Sequence, residues 1–301
     1  MRIYFSPYRL LKKAQLNSAD VQSEQHGVLL KVAEGSFWGV ADLCTKVELG
    51  DLPYTEELRR RGPLFRRALE LAYRDLEARK KSESLLGHRG IENNFLITDH
   101  HLVDFGQERF AEHTLKIKCD RNLDELSRSL KKVQSSTTLR LDFNNSLRSE
   151  EFNNWLTELP SDLKAKIEYI EDPTPLNEQW PIWNIIVPLA YDFQTAAYTP
   201  AICKYRIIKP TREAVAELNG STTLTSAMEH PVGLAHGLSL AQQLKPQTVS
   251  GFLTLDLFFE TAFHRFFQQQ ESLLNFTDEA RQDSGIGMTE ELEKLNWQRY
   301  D

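Results

Sequence analysis

The chain has 301 residues, 41% of them hydrophobic, and a formal net charge of −7. That length suits one large α/β barrel or two domains, the apolar content allows a sizeable core, and the acidic balance argues against a polyanion as main partner. The arginine-rich patches Arg59–Arg61, Arg66–Arg67 and Arg79–Lys81 alternate with Glu56, Glu57, Glu70 and Glu77, so they read as solvated helix faces rather than a nucleic-acid surface. Three widely spaced cysteines, Cys44, Cys119 and Cys203, form no zinc pattern and fit reduced thiols in a cytoplasmic setting. The start, MRIYFSPYRLLKK, lacks the apolar run and cleavage pattern of a secretory signal. A run of about 18 apolar residues, as a membrane span needs, is absent from the sequence.

Residues 1 to about 50 read as antiparallel strands, with GVLLKV and FWGVADL joined by the turn AEGS. A helical region over 55–81 follows, with Thr55 as N-cap and a break at Gly62-Pro63. The stretch 1–91 is therefore expected to be an α+β unit. From residue 92 the pattern becomes strand–helix alternation. Strand-like segments are NNFLITD, TLKIK, TLRLDF, IEYIE, PLAYDF, YRIIKP, TLTSAM and GFLTLDL. Helical sequence, such as RNLDELSRSLKKV, SEEFNNWLTEL, TREAVAEL with Thr211 as N-cap, and VGLAHGLSLAQQL, lies between most of them. Eight strand signals predict a parallel barrel over 92–260. Residues 261–301 are expected to pack on the barrel or on the first unit.

Charged residues sit at the ends of these strands. Asp142, Glu171 and Asp192 end three consecutive strands and would converge on one mouth, where oxygen-only donors suit Mg²⁺ or Mn²⁺. A single strand-end acid is more often a cap or turn residue. Lys116 and Lys118 are two apart on one strand, so they share a face. Inside a barrel, the Lys116 charge and a metal would draw the Lys118 pKa toward neutrality, fitting it as a general base. On these residues alone, an edge strand with both lysines in water is an equal alternative. Lys209, before Pro210, would approach from the opposite side of the mouth.

The set KxK, LRLDFN, IEDP, a strand-five acid and a KP lysine resembles the muconate-lactonising branch of the enolase superfamily. Within that branch LRLDFN, TSAMEHPVG, GFLTLDL and the WGVADL hairpin are most similar to the o-succinylbenzoate synthase family. The resemblance spans most of the chain. It implies a modified TIM barrel of the (β/α)7β kind with an α+β N-terminal capping domain. It also implies an Mg²⁺-dependent carbon–oxygen lyase of menaquinone biosynthesis acting on a small carboxylate, 2-succinyl-6-hydroxy-2,4-cyclohexadiene-1-carboxylate. The implied metal ligands are Asp142, Glu171 and Asp192. Lys118 is the implied base, Lys209 the cation facing the intermediate, and Lys116 the tuning group. Arg140 and Asn144 match positions beside the metal, and Thr225, Ser226 and Gly251 match the substrate-tail region. Loops around 16–26 and 43–53 would close the mouth.

Four positions depart from the family pattern: Phe193 follows Asp192, Asp172 replaces a glutamate, and Thr225 and Ala227 stand where serines are common. N-succinylamino acid racemisation or dipeptide epimerisation needs the same two lysines, and a barrel that binds a carboxylate or partner without turnover is the reading from another class. His100, His101, His230 and His236 show no metal-ligand spacing, and Glu229 reads as a helix-start acid. No nucleic-acid or membrane partner is expected, and the sequence is compatible with a monomer or a homo-oligomer.

Overall fold

The computed structural model describes residues 1–13, 23–192, 202–215, 218 and 220–300. Strands β1 (Arg2–Leu11), β2 (Glu24–Glu34) and β3 (Phe37–Leu43) form an antiparallel meander. Glu34 pairs with Phe37, which leaves a two-residue turn, and Gly35 takes its positive φ of 61°. Helices α1 (Tyr54–Arg60) and α2 (Pro63–Lys80) follow, separated at Gly62-Pro63 as expected. The N-cap of α1 is Pro53 rather than Thr55. The Pro53 carbonyl accepts from the Glu56 and Glu57 amides at 2.9 and 3.0 Å, so the helix starts one residue before the expected cap. Leu71, Ala72 and Leu76 of α2 bury against Val32 and Ala41 of the sheet. Gly39 makes that contact close: a Cβ there would lie 2.2 Å from the Ala72 carbonyl oxygen.

The second unit starts with β4 (Ile91–Glu92) and continues into seven parallel strands in sequential order. They are β5 (Phe95–Ile97), β6 (Thr114–Lys118), β7 (Thr138–Asp142), β8 (Ile167–Glu171), β9 (Leu189–Tyr191), β10 (Tyr205–Ile208) and β11 (Thr222–Leu224). Helices α3 (Leu123–Leu130), α4 (Ser149–Glu158), α5 (Ser161–Lys166), α6 (Trp180–Ile186) and α7 (Pro231–Leu244) fill connections between or after them. Alternate strand residues such as Leu115, Ile117, Leu139 and Leu141 face Leu126, Leu130, Phe152 and Trp155 in the largest core cluster.

GFLTLDL is not an eighth strand. Only Ser250 and Gly251 close the barrel, bridging Asn93 beside β5 and Thr225 beside β11. The next donor, the Phe252 amide, bonds the Asn93 side-chain oxygen at 2.7 Å, and a 3₁₀ turn at Leu255–Leu257 ends the pairing. The helix expected in TREAVAEL is absent from described residues 211–215. The Arg212 and Glu213 amides both turn back to the Lys209 carbonyl. Residues 216 and 217 of that expectation lie outside the described residues.

Strands β12 (Phe267–Gln270) and β13 (Leu273–Phe276) extend β4 into a three-stranded antiparallel sheet. After α8 (Asp278–Gln282) and α9 (Thr289–Glu293), β14 (Gln298–Tyr300) pairs with β1 at the edge of the first sheet. Among the described residues, no helix is long and apolar enough to cross a membrane.

One buried node joins these parts. Asp75 on α2 accepts from the Val40 and Ile286 amides, each at 2.8 Å, and from Arg79 at 3.1 Å. Arg79 in turn holds the Gly287 carbonyl at 2.9 Å and the Thr289 hydroxyl at 2.6 Å. Arg79 is therefore buried, not part of a solvated face. A second node couples the cap to α7. Asp42 accepts from the Tyr8 hydroxyl at 2.8 Å and the His230 amide at 2.9 Å. Burial pushes the Asp42 carboxyl up to about 8, and the nearby Glu229 adds to the shift.

Asp75→Ala strands a buried guanidinium and two amides, so it is expected to cost about 3–5 kcal/mol in denaturant unfolding. Asp42 has a raised pKa in the fold, so its contribution is complete below its ordinary 3.8 and declines as pH rises to about 8. Asp42→Asn keeps an acceptor for the His230 amide and turns its NH2 as a donor to the Tyr8 hydroxyl oxygen, without the titration. Its melting temperature relative to the wild type should therefore rise between pH 4 and 8, and a constant difference would rule out this account.

Candidate active site

Parallel register builds the site. Lys118 on β6 is paired with Asp142 on β7, and Asp142 with Glu171 on β8. All lie at C-terminal strand ends, where the loops of a parallel barrel form its mouth. β6 lies between β5 and β7, so it is not an edge strand, and the Lys116 and Lys118 side chains are only 11% and 13% exposed. That removes the water-facing alternative. Leu115 and Ile117 point outward to the helices, and the two lysines point in.

The lysines and acids meet. Lys116 Nζ lies 2.7 Å from both Glu171 carboxylate oxygens and 2.9 Å from Asp142 Oδ2. Lys118 Nζ donates to the same Asp142 oxygen at 2.6 Å. Lys209, just beyond β10, pairs with Asp192 beyond β9. Burial opposes ionisation of Asp142, yet Lys116 and Lys118 hold it below the usual carboxylate range. Burial and then the Asp142 charge push Glu171 up to about 7. Burial, with Asp192 and Glu171, also drives Asp172 well above its ordinary value.

Asp172 was noted in the sequence only as a departure from a motif. In space one oxygen each of Glu171, Asp172 and Asp192 lie within 4.8 Å of one another, while Asp142 faces the lysines. Asp172 has a φ of 44°, and its carbonyl accepts from the Asn145 amide at 2.7 Å. Its Oδ1 accepts from the Asp192 amide at 3.3 Å. The donor chemistry fits a hard divalent cation: oxygen only and buried, with two carboxyls raised by burial and then by neighbouring acids, whose repulsion such a cation would relieve.

A cavity of about 580 Å³ opens above these groups, lined by Lys116, Lys118, Asn144, Asp192 and Lys209 on the barrel. Thr225, Ser226 and Gly251 line it on the far side. A Cβ on Gly251 would sit 3.0 Å from the Thr225 methyl, so glycine lets the closing bridge run tightly beside β11. Ser226 is committed inward: its hydroxyl donates to Glu229 at 2.6 Å and accepts from Thr254 at 2.9 Å. Glu229 is thus a buried support for the cavity wall, more than a helix-start acid.

Arg140 is not a wall residue. It lies one layer deeper, fully buried, bonding Glu168 at 2.7 Å, Asn94 at 3.1 Å and the Val249 carbonyl at 2.9 Å. Its position two residues before Asp142 puts it on the same interior face but farther from the mouth. It braces the bridge at Ser250 and Gly251 instead of meeting a ligand in the cavity.

The cap supplies residues that the sequence reading missed. Lys46, Leu49 and Asp51 of the 43–53 loop line the cavity, whereas residues 16–22 lie outside the described residues. Arg212, which also lines it, holds Asp51 through two bonds of 2.7 and 2.9 Å. Lys46 reaches Gln25 and, at 3.3 Å, the Met228 carbonyl. Arg212 was hidden because TREAVAEL looked helical. Its closeness to Lys209 at a strand end was the available signal.

Residues 3–78 match the family model described as O-succinylbenzoate synthase, N-terminal domain. The o-succinylbenzoate synthase of Bdellovibrio bacteriovorus is 30% identical over 334 aligned positions, covering 99% of this chain and 98% of that one. Among solved structures, N-succinyl Arg/Lys racemase from Bacillus cereus superposes with a TM-score of 0.76 at 13% identity, over 100% of both chains. The o-succinylbenzoate synthase from Thermosynechococcus elongatus, solved with Mg in its active site, gives 0.66 at 14% identity, over 87% of this chain and 95% of that one. These likenesses establish the capped, modified-barrel fold of the enolase superfamily. With the full-length match to the Bdellovibrio enzyme, they place the chain in the o-succinylbenzoate synthase family of lyases.

Proposed function

We propose that the protein dehydrates 2-succinyl-6-hydroxy-2,4-cyclohexadiene-1-carboxylate to 2-succinylbenzoate, a step of menaquinone biosynthesis. The observation that carries this reading is the placement of Lys118 and Lys209 in one cavity, on β6 and just beyond β10, four strands apart around the barrel. Asp142, Glu171 and Asp192 would hold Mg²⁺, with Asp172, clustered with Glu171 and Asp192, as a further oxygen donor. When bound, that cation supplies positive charge to the substrate carboxylate as the ene-diolate develops.

The chain's own residues do the rest. Lys118 takes the proton alpha to the carboxylate, which breaks the C–H bond and leaves its electron pair in the ring. Loss of the ring hydroxyl then forms the one new ring double bond, which joins the two already present and makes the ring aromatic. The Lys118 ammonium returns the proton to that hydroxyl, so water leaves. Lys116 lies beside Lys118 and shares its Asp142 partner. Lys209 holds its charge against the opposite face of the planar intermediate. The Arg212–Asp51 pair and Lys46 keep the cap loop over the mouth, which excludes water from the reacting face.

The same two-sided arrangement would serve as a pair of bases in racemisation of N-succinylamino acids. A single set of assays separates the readings. With Mg²⁺ present, loss of the diene absorbance should be fast. Lys118→Ala should lower it by at least about 10²–10⁴-fold, the usual worth of a general base. Diene consumption that persists in Lys118→Ala would remove Lys118 from the base role. Chelation by EDTA should abolish turnover, and added Mg²⁺ should restore it. Solvent deuterium entering the alpha carbon of N-succinylamino acids, with no diene consumed, would instead establish the racemase.

A further inference from the structure

Outside the cavity, two adjacent histidines follow β5, and one acid follows β6. His100 and His101 form a short 3₁₀ turn with Leu102, capped by Asp99. Asp120 lies two residues beyond Lys118. One ligand atom each of His100, His101 and Asp120 fall within 4.8 Å of one another. The sequence reading set both histidines aside, because nothing in it placed Asp120 between them.

Most of this cluster has an ordinary explanation. His101 Nε2 lies 2.7 Å from Asp120, and its Nδ1 lies 3.0 Å from Glu125 in the first turn of α3. A partly exposed ion pair accounts for those contacts, and the two carboxylates raise the His101 pKa. It does not account for His100. That ring is 2% exposed, and its Nε2 has no hydrogen-bond partner. The nearest acid oxygen, Asp120 Oδ1, is 4.0 Å away, too far for a hydrogen bond. Nε2 therefore faces the Asp120 carboxylate across an open gap. Burial lowers the His100 pKa, in keeping with a neutral ring.

A buried imidazole whose unpartnered Nε2 faces a carboxylate oxygen 4.0 Å away leaves the separation that a bridging ion would fill. We propose that His100, His101 and Asp120 form a second cation site for a borderline divalent ion such as Zn²⁺, with Glu125 orienting His101 from its other ring nitrogen. Two imidazoles and a carboxylate, with water as the fourth ligand, suit zinc in a tetrahedral setting. Oxygen-only donors in the cavity suit a harder ion, so the two sites differ in chemistry as well as place. Occupancy would tie the loop after β5 to the loop before α3.

The full-length protein saturated with excess Mg²⁺ would be titrated with Zn²⁺ by calorimetry, and with Co²⁺ followed by visible absorption. One equivalent of Zn²⁺ should bind over the Mg²⁺ background, and Co²⁺ should give the intense bands of a tetrahedral nitrogen–oxygen site. His101→Ala and Asp120→Ala, both at partly exposed positions where folding should survive, should each weaken Zn²⁺ binding more than about tenfold. Lys209→Ala should leave it unchanged. Absence of Zn²⁺ binding under saturating Mg²⁺ would overturn the proposal. So would Zn²⁺ affinity unaltered in both folded variants, because the ion would then sit elsewhere. Octahedral Co²⁺ spectra that persist in His101→Ala would likewise assign the ion to the carboxylates of the cavity.

Discussion

The register between neighbouring parallel strands is the constraint on which this molecule rests. Lys118, Asp142 and Glu171 stand side by side because β6, β7 and β8 are paired without offset at their C-terminal ends. A shift of one residue would turn the whole row into the helix layer and put Leu141 and Ile170 in the mouth. The barrel core therefore does more than stabilise the fold, since packing Leu115, Ile117, Leu139 and Leu141 outward is what aims the charges inward. Buried charges oppose folding unless they are paired, and here each lysine meets an acid from a neighbouring or near-neighbouring strand. The same pairing brings the groups to one point, so the electrostatic demand of the interior and the assembly of the site are a single problem with a single solution.

A cap held by discrete ties covers that point. His230 and His236 on or beside α7 meet the cap through Asp42 and the Val40 carbonyl. Arg67 reaches across from α2 to the Pro210 carbonyl at 2.7 Å, next to Lys209. Together with the Arg212–Asp51 pair, these contacts fix the cap from two sides of the mouth. They are polar and directional, so they set an orientation that apolar packing alone would leave loose.

Strand-end chemistry was legible in the sequence, and cross-chain geometry was not. Lys116, Lys118, Asp142, Glu171, Asp192 and Lys209 stand out because alternation and a terminal charge are local signals. The eighth strand was misread because GFLTLDL has strand composition, while the Asn93 side chain that intercepts its ladder lies far away in sequence. Arg140 was expected beside the metal because it matches a family position there, and it does share a face with Asp142. Depth along a strand, which separates a wall residue from a brace, has no signature in residue type. Asp172 and Glu229 likewise show their partners only once the loops are folded, and the helix read into TREAVAEL concealed Arg212.

The edge strand β14 carries a consequence for how the protein comes into being. It pairs Tyr300 with Ile3 and Gln298 with Phe5, and the Tyr300 hydroxyl reaches the Leu58 carbonyl at 2.8 Å. During synthesis β1 thus waits for β14 before its outer edge is paired. During that interval the β1 edge is open, with its amides and carbonyls available to any passing strand. The barrel between them can form while the cap is unfinished. A nascent chain would therefore acquire its charged mouth before its lid is complete, and β14 would seal a sheet begun almost three hundred residues earlier.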